Sequence, residues 1–145
     1  MTVKIVKLQP NARIPTYGSA EAAGADLYAC IDEAVTIQPS QTVLIPTGLS
    51  MEIEQGFAGF IYARSGLATK RGLAPANKVG VIDSDYRGQV MVSLHNHTDR
   101  PQTVEPGERV AQMVFAPVYQ AQFCEVDALQ DTERGTGGFG STGMK

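Results

Sequence analysis

The sequence predicts an all-β domain of many short antiparallel strands with one short helix. Val90, Val92 and Leu94 alternate with Gln89, Met91 and Ser93, which is the period of a strand with one buried face. Gly and Pro residues interrupt the apolar runs at short intervals, as expected for turns between strands. This spacing favours an antiparallel sandwich, a jelly roll or a barrel.

The strand signals follow one another along most of the chain. In order, the runs are TVKIVKL, AVTIQ, TVLIPTGLSMEI, FAGFIYA and GERVAQMVFAPV, each rich in β-branched or aromatic residues. The one segment with helix signals is SGLATKRG, where Ser65 is the expected N-cap and Gly72 the expected end. We therefore predict a single short helix near residues 65–71.

Length and charge limit the organisation and the partners. The 145 residues suffice for one ordinary domain, which we assign to residues 1–133, with a flexible Gly-rich segment at 134–145 acting as its lid. A net charge of −3 offers no basic surface for counterion release, so we expect no nucleic acid polymer as partner. With no export signal and no membrane-length apolar run, we expect a cytoplasmic protein without a membrane partner.

The Gly-rich segment could bind phosphate. GTGGFG matches the dinucleotide-binding pattern, but that pattern works only between a strand and a helix, which we do not expect here. Closely spaced glycines still let backbone N–H groups approach phosphate oxygens, and Ser141 adds a hydroxyl. Arg134 supplies a positive charge, and Phe139 has nothing to pack on unless a ligand or another chain provides it. A disordered tail with an incidental Phe is the alternative.

The segment ARSGLA could bind an anion at the start of the predicted helix. A helix N-terminus presents N–H groups without intrahelical partners, and Arg64 and Ser65 lie at that point. The alternative is an ordinary capped turn with a surface arginine.

The segment NKVGVIDSDYRGQV is predicted to form a hairpin with the turn S-D-Y-R-G. Asp83 lies where the first strand ends, so its carboxylate could face a cleft and act as a base for water. Tyr86 would offer a flat face beside it. Asp85 fits a role in the turn, and Asp83 could have the same role instead.

Two polar residues interrupt apolar strand segments. Asp26 lies in AAGADLYA and Gln112 in GERVAQMVF, where a buried polar side chain is costly unless it is paired or functional. A structural hydrogen bond is the default interpretation for each.

Together these segments resemble the motifs of the homotrimeric dUTPase family. In order they are AAGADLYA, ARSGLA, NKVGVIDSDYRGQV, PGERVAQMVF and RGTGGFGSTG, and the resemblance covers nearly the whole chain. It implies a β jelly roll that hydrolyses dUTP to dUMP and pyrophosphate with Mg²⁺. Such an activity keeps uracil out of DNA and supplies dUMP for thymidylate synthesis.

The resemblance also implies roles for residues near the base and sugar. Asp83 would orient and deprotonate the water that attacks the α-phosphorus, and Tyr86 would pack against the deoxyribose and exclude a 2′-hydroxyl. The uracil edge would be bound by the Asn77 side chain and by backbone groups of Gly80, Val81, Ile82 and Met91. Fixed donors and acceptors there would reject cytosine.

A second set of roles concerns the phosphates, the metal and the subunits. The phosphate oxygens would be bound by Arg64, Ser65, Gly66 and Gln112, and Asp26 would hold Mg²⁺ through water. The lid would act through Arg134 on the γ-phosphate, Phe139 on uracil, and Gly140 and Ser141 on the phosphates. The resemblance implies a homotrimer with shared active sites. We assign Arg109 to structure or to the subunit interface rather than to substrate binding.

Two other functions are possible on a related fold. One is a dCTP deaminase or a bifunctional deaminase and dUTPase, which needs an additional acid/base carboxylate near the cytosine amino group. The other is a non-catalytic nucleotide-binding regulator, which the loss of Asp83 or of the lid would have indicated. Because both are present, dUTP hydrolysis is favoured.

Overall fold

A computed structural model describes residues 1–138 and confirms the all-β prediction. This range contains twelve strands and one helix. The strands are β1 (Lys4–Lys7), β2 (Thr16–Tyr17), β3 (Ala25–Tyr28), β4 (Val35–Ile37), β5 (Thr42–Pro46), β6 (Leu49–Glu52), β7 (Phe57–Tyr62), β8 (Leu73–Pro75), β9 (Gly80–Ile82), β10 (Met91–Asn96), β11 (Gln102–Val104) and β12 (Arg109–Pro117). The helix α1 (Ser65–Arg71) lies where it was predicted.

Antiparallel pairing joins the strands into four small sheets. The largest has the order β2-β3-β12-β7-β9, and a second has the order β5-β10-β8. Two further pairs are β1 with β6 and β11 with β4. Strands that are neighbours in a sheet are mostly distant in the sequence, so the chain crosses between sheets as expected for a jelly roll.

The core lies between the inward faces of these sheets. In β10, Val92, Leu94 and Asn96 are buried while the alternating residues are more exposed, which accounts for the period of two in the sequence. The largest fully buried apolar side chains are Leu27, Ile37, Ile45, Leu49, Leu73, Leu94 and Met113.

The helix is capped differently from the prediction. Arg64, with extended backbone, occupies the N-cap position and makes no side-chain capping bond, so the assignment of Ser65 as N-cap was wrong. Ser65 is instead the first helical residue, and the side chain of Arg64 donates to Asp26. Gly72 ends the helix as predicted, with a left-handed φ of 62° and its N–H donating to the carbonyl of Ala68.

The predicted hairpin around Asp83 was also wrong. β9 pairs with β7, with Gly59 opposite Ile82, whereas β10 pairs with β5 and β8. The connecting residues 83–90 therefore cross from one sheet to another. Val90, at their end, is fully buried and bonds the backbone of Leu49 and Thr47, so packing against the core separates the two strands.

No helical structure within residues 1–138 is long and apolar enough to span a membrane. The cytoplasmic location stays a prediction. After β12 ends at Pro117, residues 118–138 form no helix or strand and are mostly exposed.

Asn96, the last residue of β10, is a buried polar residue within the core. It is fully buried, and its Nδ2 donates to the carbonyls of Ile37 at 2.9 Å and Arg100 at 2.8 Å. Its Oδ1 accepts from the N–H and the hydroxyl of Thr98. One side chain thus joins β4, β10 and the turn that leads to β11.

We expect Asn96→Ala to lower the free energy of unfolding by about 2–4 kcal/mol, because several buried polar groups lose their partners. Chemical denaturation of both proteins measures this difference. Asn11→Ala is the matched control, since the hydrogen bonds of Asn11 are exposed, and it should cost less than about 1 kcal/mol. Equal costs for the two variants would contradict the role assigned to Asn96.

Candidate active site

Two arginines and one carboxylate line a cleft beside the start of α1. This arginine cleft has a volume of about 200 Å³. It is lined by Gly18, Ala22, Gly24, Asp26, Arg64, Ser65, Gly66, Arg109 and Gln112. The sheet brings these residues together, because Asp26 on β3 lies directly opposite Gln112 on β12.

Asp26 is held between the two guanidinium groups. Arg64 Nε lies 2.6 Å from Oδ1, and Arg109 Nη1 lies 3.2 Å from Oδ2. The Asp26 side chain is 11% exposed, and the two guanidinium groups replace part of the water that a carboxylate loses at that depth. The pairs also fix Arg64 over the first turn of the helix.

Gln112 is fixed by the backbone on the same wall of the cleft. Its Nε2 donates to the carbonyl of Ala63 at 2.9 Å. A Cβ atom on Gly24 would lie only 2.3 Å from Gln112 Oε1, so glycine at this position leaves the space that the amide occupies. The cleft therefore depends on a small residue that the sequence analysis did not single out.

The second group of candidate residues lies around β9 and the start of β10. A depression of about 190 Å³ is lined by Val81, Ile82, Asp83, Tyr86, Gln89 and Met91. A second depression, also of about 190 Å³, shares three of these residues and adds Asn77 and Gly80. We call the two together the β9–β10 pocket.

Hydrogen bonds within residues 83–90 hold the aromatic ring of this pocket and the backbone of Asp83. The Tyr86 N–H donates to the carbonyl of Asp83 at 3.2 Å, and the Tyr86 hydroxyl donates to the carbonyl of Gln89 at 3.0 Å. A Cβ on Gly88 would lie 2.3 Å from the Tyr86 hydroxyl, so glycine is needed there. The Asp83 side chain is exposed and also lines a larger cavity of about 860 Å³ on its other side.

The structure brings the predicted residues together as two groups. Asp26, Arg64, Ser65, Gly66 and Gln112 share the arginine cleft. The β9–β10 pocket contains Asn77, Gly80, Val81, Ile82, Asp83, Tyr86 and Met91. Neither the arginine cleft nor the β9–β10 pocket contains residues of both groups.

Of the named lid residues only Arg134 lies in the described part of the chain, and it lines neither the arginine cleft nor the β9–β10 pocket. Arg134 is exposed, and its Nε donates to the carbonyl of Gly137 at 2.8 Å within a turn. Phe139, Gly140 and Ser141 lie outside the described residues.

Sequence analysis missed four residues of the arginine cleft, namely Gly18, Ala22, Gly24 and Arg109. Three of them are small residues near Asp26, and their proximity to a polar residue in an apolar strand was the available signal. Arg109 had been assigned to structure or to the interface. Its pair with Asp26 is compatible with a structural role and also places Arg109 on the wall of the cleft.

The cleft offers one carboxylate and no complete set of metal ligands. Across the described chain, no three His, Cys, Asp or Glu side chains gather as a metal site. Mg²⁺ often binds proteins through one or two carboxylates while keeping several waters and binding phosphate oxygens. The Asp26 carboxylate fits that use, whereas a metal ion fully enclosed by protein ligands does not fit this cleft.

Comparison with known proteins identifies the family of this chain. The family model described as dUTPase matches residues 10–143. The chain belongs to the dUTPase family. Over 143 residues, the chain is 50% identical to the deoxyuridine 5'-triphosphate nucleotidohydrolase of Desulfitobacterium hafniense (strain DSM 10664 / DCB-2), covering 98% of this chain and 95% of that protein. It is 53% identical over 133 residues to the same-named protein of Enterobacter sp. (strain 638), with 91% and 88% covered.

Solved dUTPase structures have the same fold as this family member. A mutant of the dUTPase from phage 80alpha superposes with a TM-score of 0.87 at 27% identity, covering 97% of this chain and 98% of that one. Another mutant of the Staphylococcus bacteriophage 80alpha dUTPase, solved with dUpNHpp, gives a TM-score of 0.85 at 26% identity over 98% of both chains. The jelly-roll prediction agrees with both structures.

We expect Gly24→Ala to lower the turnover of dUTP by roughly tenfold or more, because the new methyl group displaces Gln112 from the wall of the cleft. Pyrophosphate release under saturating nucleotide measures the change. Gly18→Ala is the matched control in the same cleft, since a Cβ there meets nothing within 4 Å. If both variants turn over dUTP equally well, the packing of Gln112 against Gly24 is not important for the site.

Proposed function

We propose that this chain hydrolyses dUTP to dUMP and pyrophosphate, as a dUTP diphosphatase. The observation that carries the proposal is the 50% identity, across 98% of the chain, to a protein named deoxyuridine 5'-triphosphate nucleotidohydrolase. The two groups of residues described above are suited to this reaction, because one is cationic and the other combines an apolar pocket with a carboxylate.

The arginine cleft is the proposed phosphate site. Arg64 and the backbone N–H groups of Ser65 and Gly66, at the first turn of α1, would donate to phosphate oxygens. Gln112 would donate beside them from β12. Arg134 would add charge at the γ-phosphate when residues 134–145 close as the lid.

The β9–β10 pocket is the proposed site for uracil and deoxyribose. Asn77 and the backbone of residues 80–82 would bind the edge of the base, as would Met91 on β10. A pocket with fixed donors and acceptors binds uracil and leaves buried groups unpaired with cytosine. The bond from Tyr86 to Gln89 holds the ring in place, where it would pack against the sugar and exclude a 2′-hydroxyl.

Asp83 is the proposed general base. Its exposed carboxylate can accept a hydrogen bond from a water molecule and take its proton as the water oxygen attacks the α-phosphorus. The bond from the α-phosphorus to the bridging oxygen breaks, and pyrophosphate leaves with that oxygen. The helix and β12 would hold the phosphate chain in line for this attack.

Mg²⁺ is the proposed cofactor, with Asp26 holding it through water. When bound, the metal ion supplies positive charge that offsets the charge on the triphosphate and on the leaving pyrophosphate. Arg64 and Arg109 hold the Asp26 carboxylate in position on the wall of the cleft.

We propose a homotrimer with shared active sites, because the arginine cleft and the β9–β10 pocket of one chain lie apart. In the largest sheet, β12 and β7 lie between β3, which carries Asp26, and β9, which precedes Asp83. At about 4.8 Å per strand the separation is roughly 14 Å, too far for a base that acts on the α-phosphorus through one water. A second chain would bring the β9–β10 pocket to the arginine cleft.

The segment after β12 offers a surface for such contacts. Tyr119, Phe123 and Leu129 are 96%, 94% and 87% exposed, which is unusual for large apolar side chains so close together in sequence. Burial against other copies of the chain would remove this surface from water. The lid, which follows this segment, would then close over the site of another subunit.

The proposed function is tested by incubating the protein and Mg²⁺ with dUTP, UTP, dTTP and dCTP in parallel. We expect pyrophosphate only from dUTP, with dUMP as the other product. Ammonia from dCTP would place the protein with the deaminases. A folded protein that binds dUTP but leaves all four nucleotides intact would be a regulator instead.

We expect Asp83→Asn to bind dUpNHpp with nearly unchanged affinity and to turn over dUTP about 10²- to 10⁴-fold more slowly, because the amide cannot take the proton. Asp85→Asn is the matched control, since it makes the same change two residues away and should keep most of the turnover. Near-normal turnover by Asp83→Asn would show that Asp83 is not the general base.

A further inference from the structure

A β-bulge in β12 determines where Arg109 points. Gln112 pairs with Asp26 and Ala111 with Leu27, but Arg109 then pairs with Tyr28, so one extra residue, Val110, lies in β12 at this point. The extra residue shifts the alternation of side chains along the strand.

The burial pattern shows the effect of the shift. Val110 and Ala111 are consecutive, yet both are fully buried. In a regular strand Arg109 would share the face of Ala111 and would point into the core. Because of the bulge it lies on the same face as Asp26, and its side chain is 52% exposed at the cleft.

The position of Arg109 decides the net charge of the arginine cleft. Asp26, Arg64 and Arg109 are the charged residues that line it. Arg64 and Asp26 alone form a neutral pair at 2.6 Å, which attracts a polyanion weakly. Arg109 leaves the cleft with an excess of one positive charge.

We propose that Arg109 is a substrate-binding residue that determines affinity for the triphosphate chain. The inference deepens the proposed function and rests on it. Arg109 Nη1 donates to Oδ2 of Asp26 at 3.2 Å. A guanidinium has five N–H donors in a planar fork, so Arg109 can keep this bond and also donate to a phosphate oxygen at the mouth of the cleft.

A binding role for Arg109 and a purely structural role predict different losses of affinity for ligands of different charge. A structural arginine would affect all ligands of the site equally through the shape of the cleft. A charge that binds the phosphate chain favours the more highly charged ligand, so dUpNHpp should lose more affinity than dUMP when Arg109 is replaced.

The test uses the full-length protein and measures dUpNHpp and dUMP binding by calorimetry, with thermal unfolding recorded for each variant. We expect Arg109→Gln to weaken dUpNHpp binding roughly 10- to 100-fold and dUMP binding only a few-fold. Arg109→Lys should recover part of the dUpNHpp affinity, because it keeps the charge but not the planar fork.

Arg100→Gln is the matched control. It removes the same charge from a side chain that is 81% exposed and pairs only loosely with Asp99, at 3.7 Å. Unchanged dUpNHpp binding in Arg109→Gln overturns the inference. Equal losses for dUpNHpp and dUMP, or no recovery with Arg109→Lys, also overturn it, because a structural role then suffices.

The two proposals can fail separately. If the unaltered protein binds dUpNHpp but releases no pyrophosphate from dUTP, hydrolysis is wrong, and the comparison of Arg109→Gln with Arg100→Gln still decides the role of Arg109. If the unaltered protein hydrolyses dUTP and Arg109→Gln binds dUpNHpp equally well, only the inference on Arg109 is wrong.

Discussion

The arrangement of the candidate active site depends on the carboxylate of Asp26. A charged group at this depth is tolerated only when opposite charges and hydrogen bonds replace its water. Arg64 and Arg109 supply these partners from opposite sides, one from the start of α1 and one from β12. The pairs therefore connect the helix to the sheet, and they hold both guanidiniums where an anion can reach them.

Small residues are the second constraint on the site. Gly24 leaves room for Gln112, and Gly88 leaves room for the hydroxyl of Tyr86. In both places a methyl group would collide with a polar side chain that has a single hydrogen-bonded position. These glycines act by keeping space open next to a functional side chain, and neither has a positive φ in the described structure.

The separation of the two residue groups is the reason for proposing that the reaction needs more than one folded chain. The jelly roll places the arginine cleft near one end of the largest sheet and β9 at its other edge. Both groups are well formed within the chain, so assembly would have to bring them together without refolding either. The exposed aromatic residues after β12 lie in the segment where such contacts are expected.

The sequence by itself determined the class of the fold, the single helix and most of the candidate residues. Strand period, turn residues and polar residues within apolar segments are local signals, and they identified Asp26 and Gln112 before their partners were known. Only the tertiary structure decided which strands pair, because pairing depends on contacts between distant segments. For that reason the connection at Asp83 joins two sheets. The bulge that turns Arg109 into the cleft is a mismatch between β3 and β12, which neither strand carries alone.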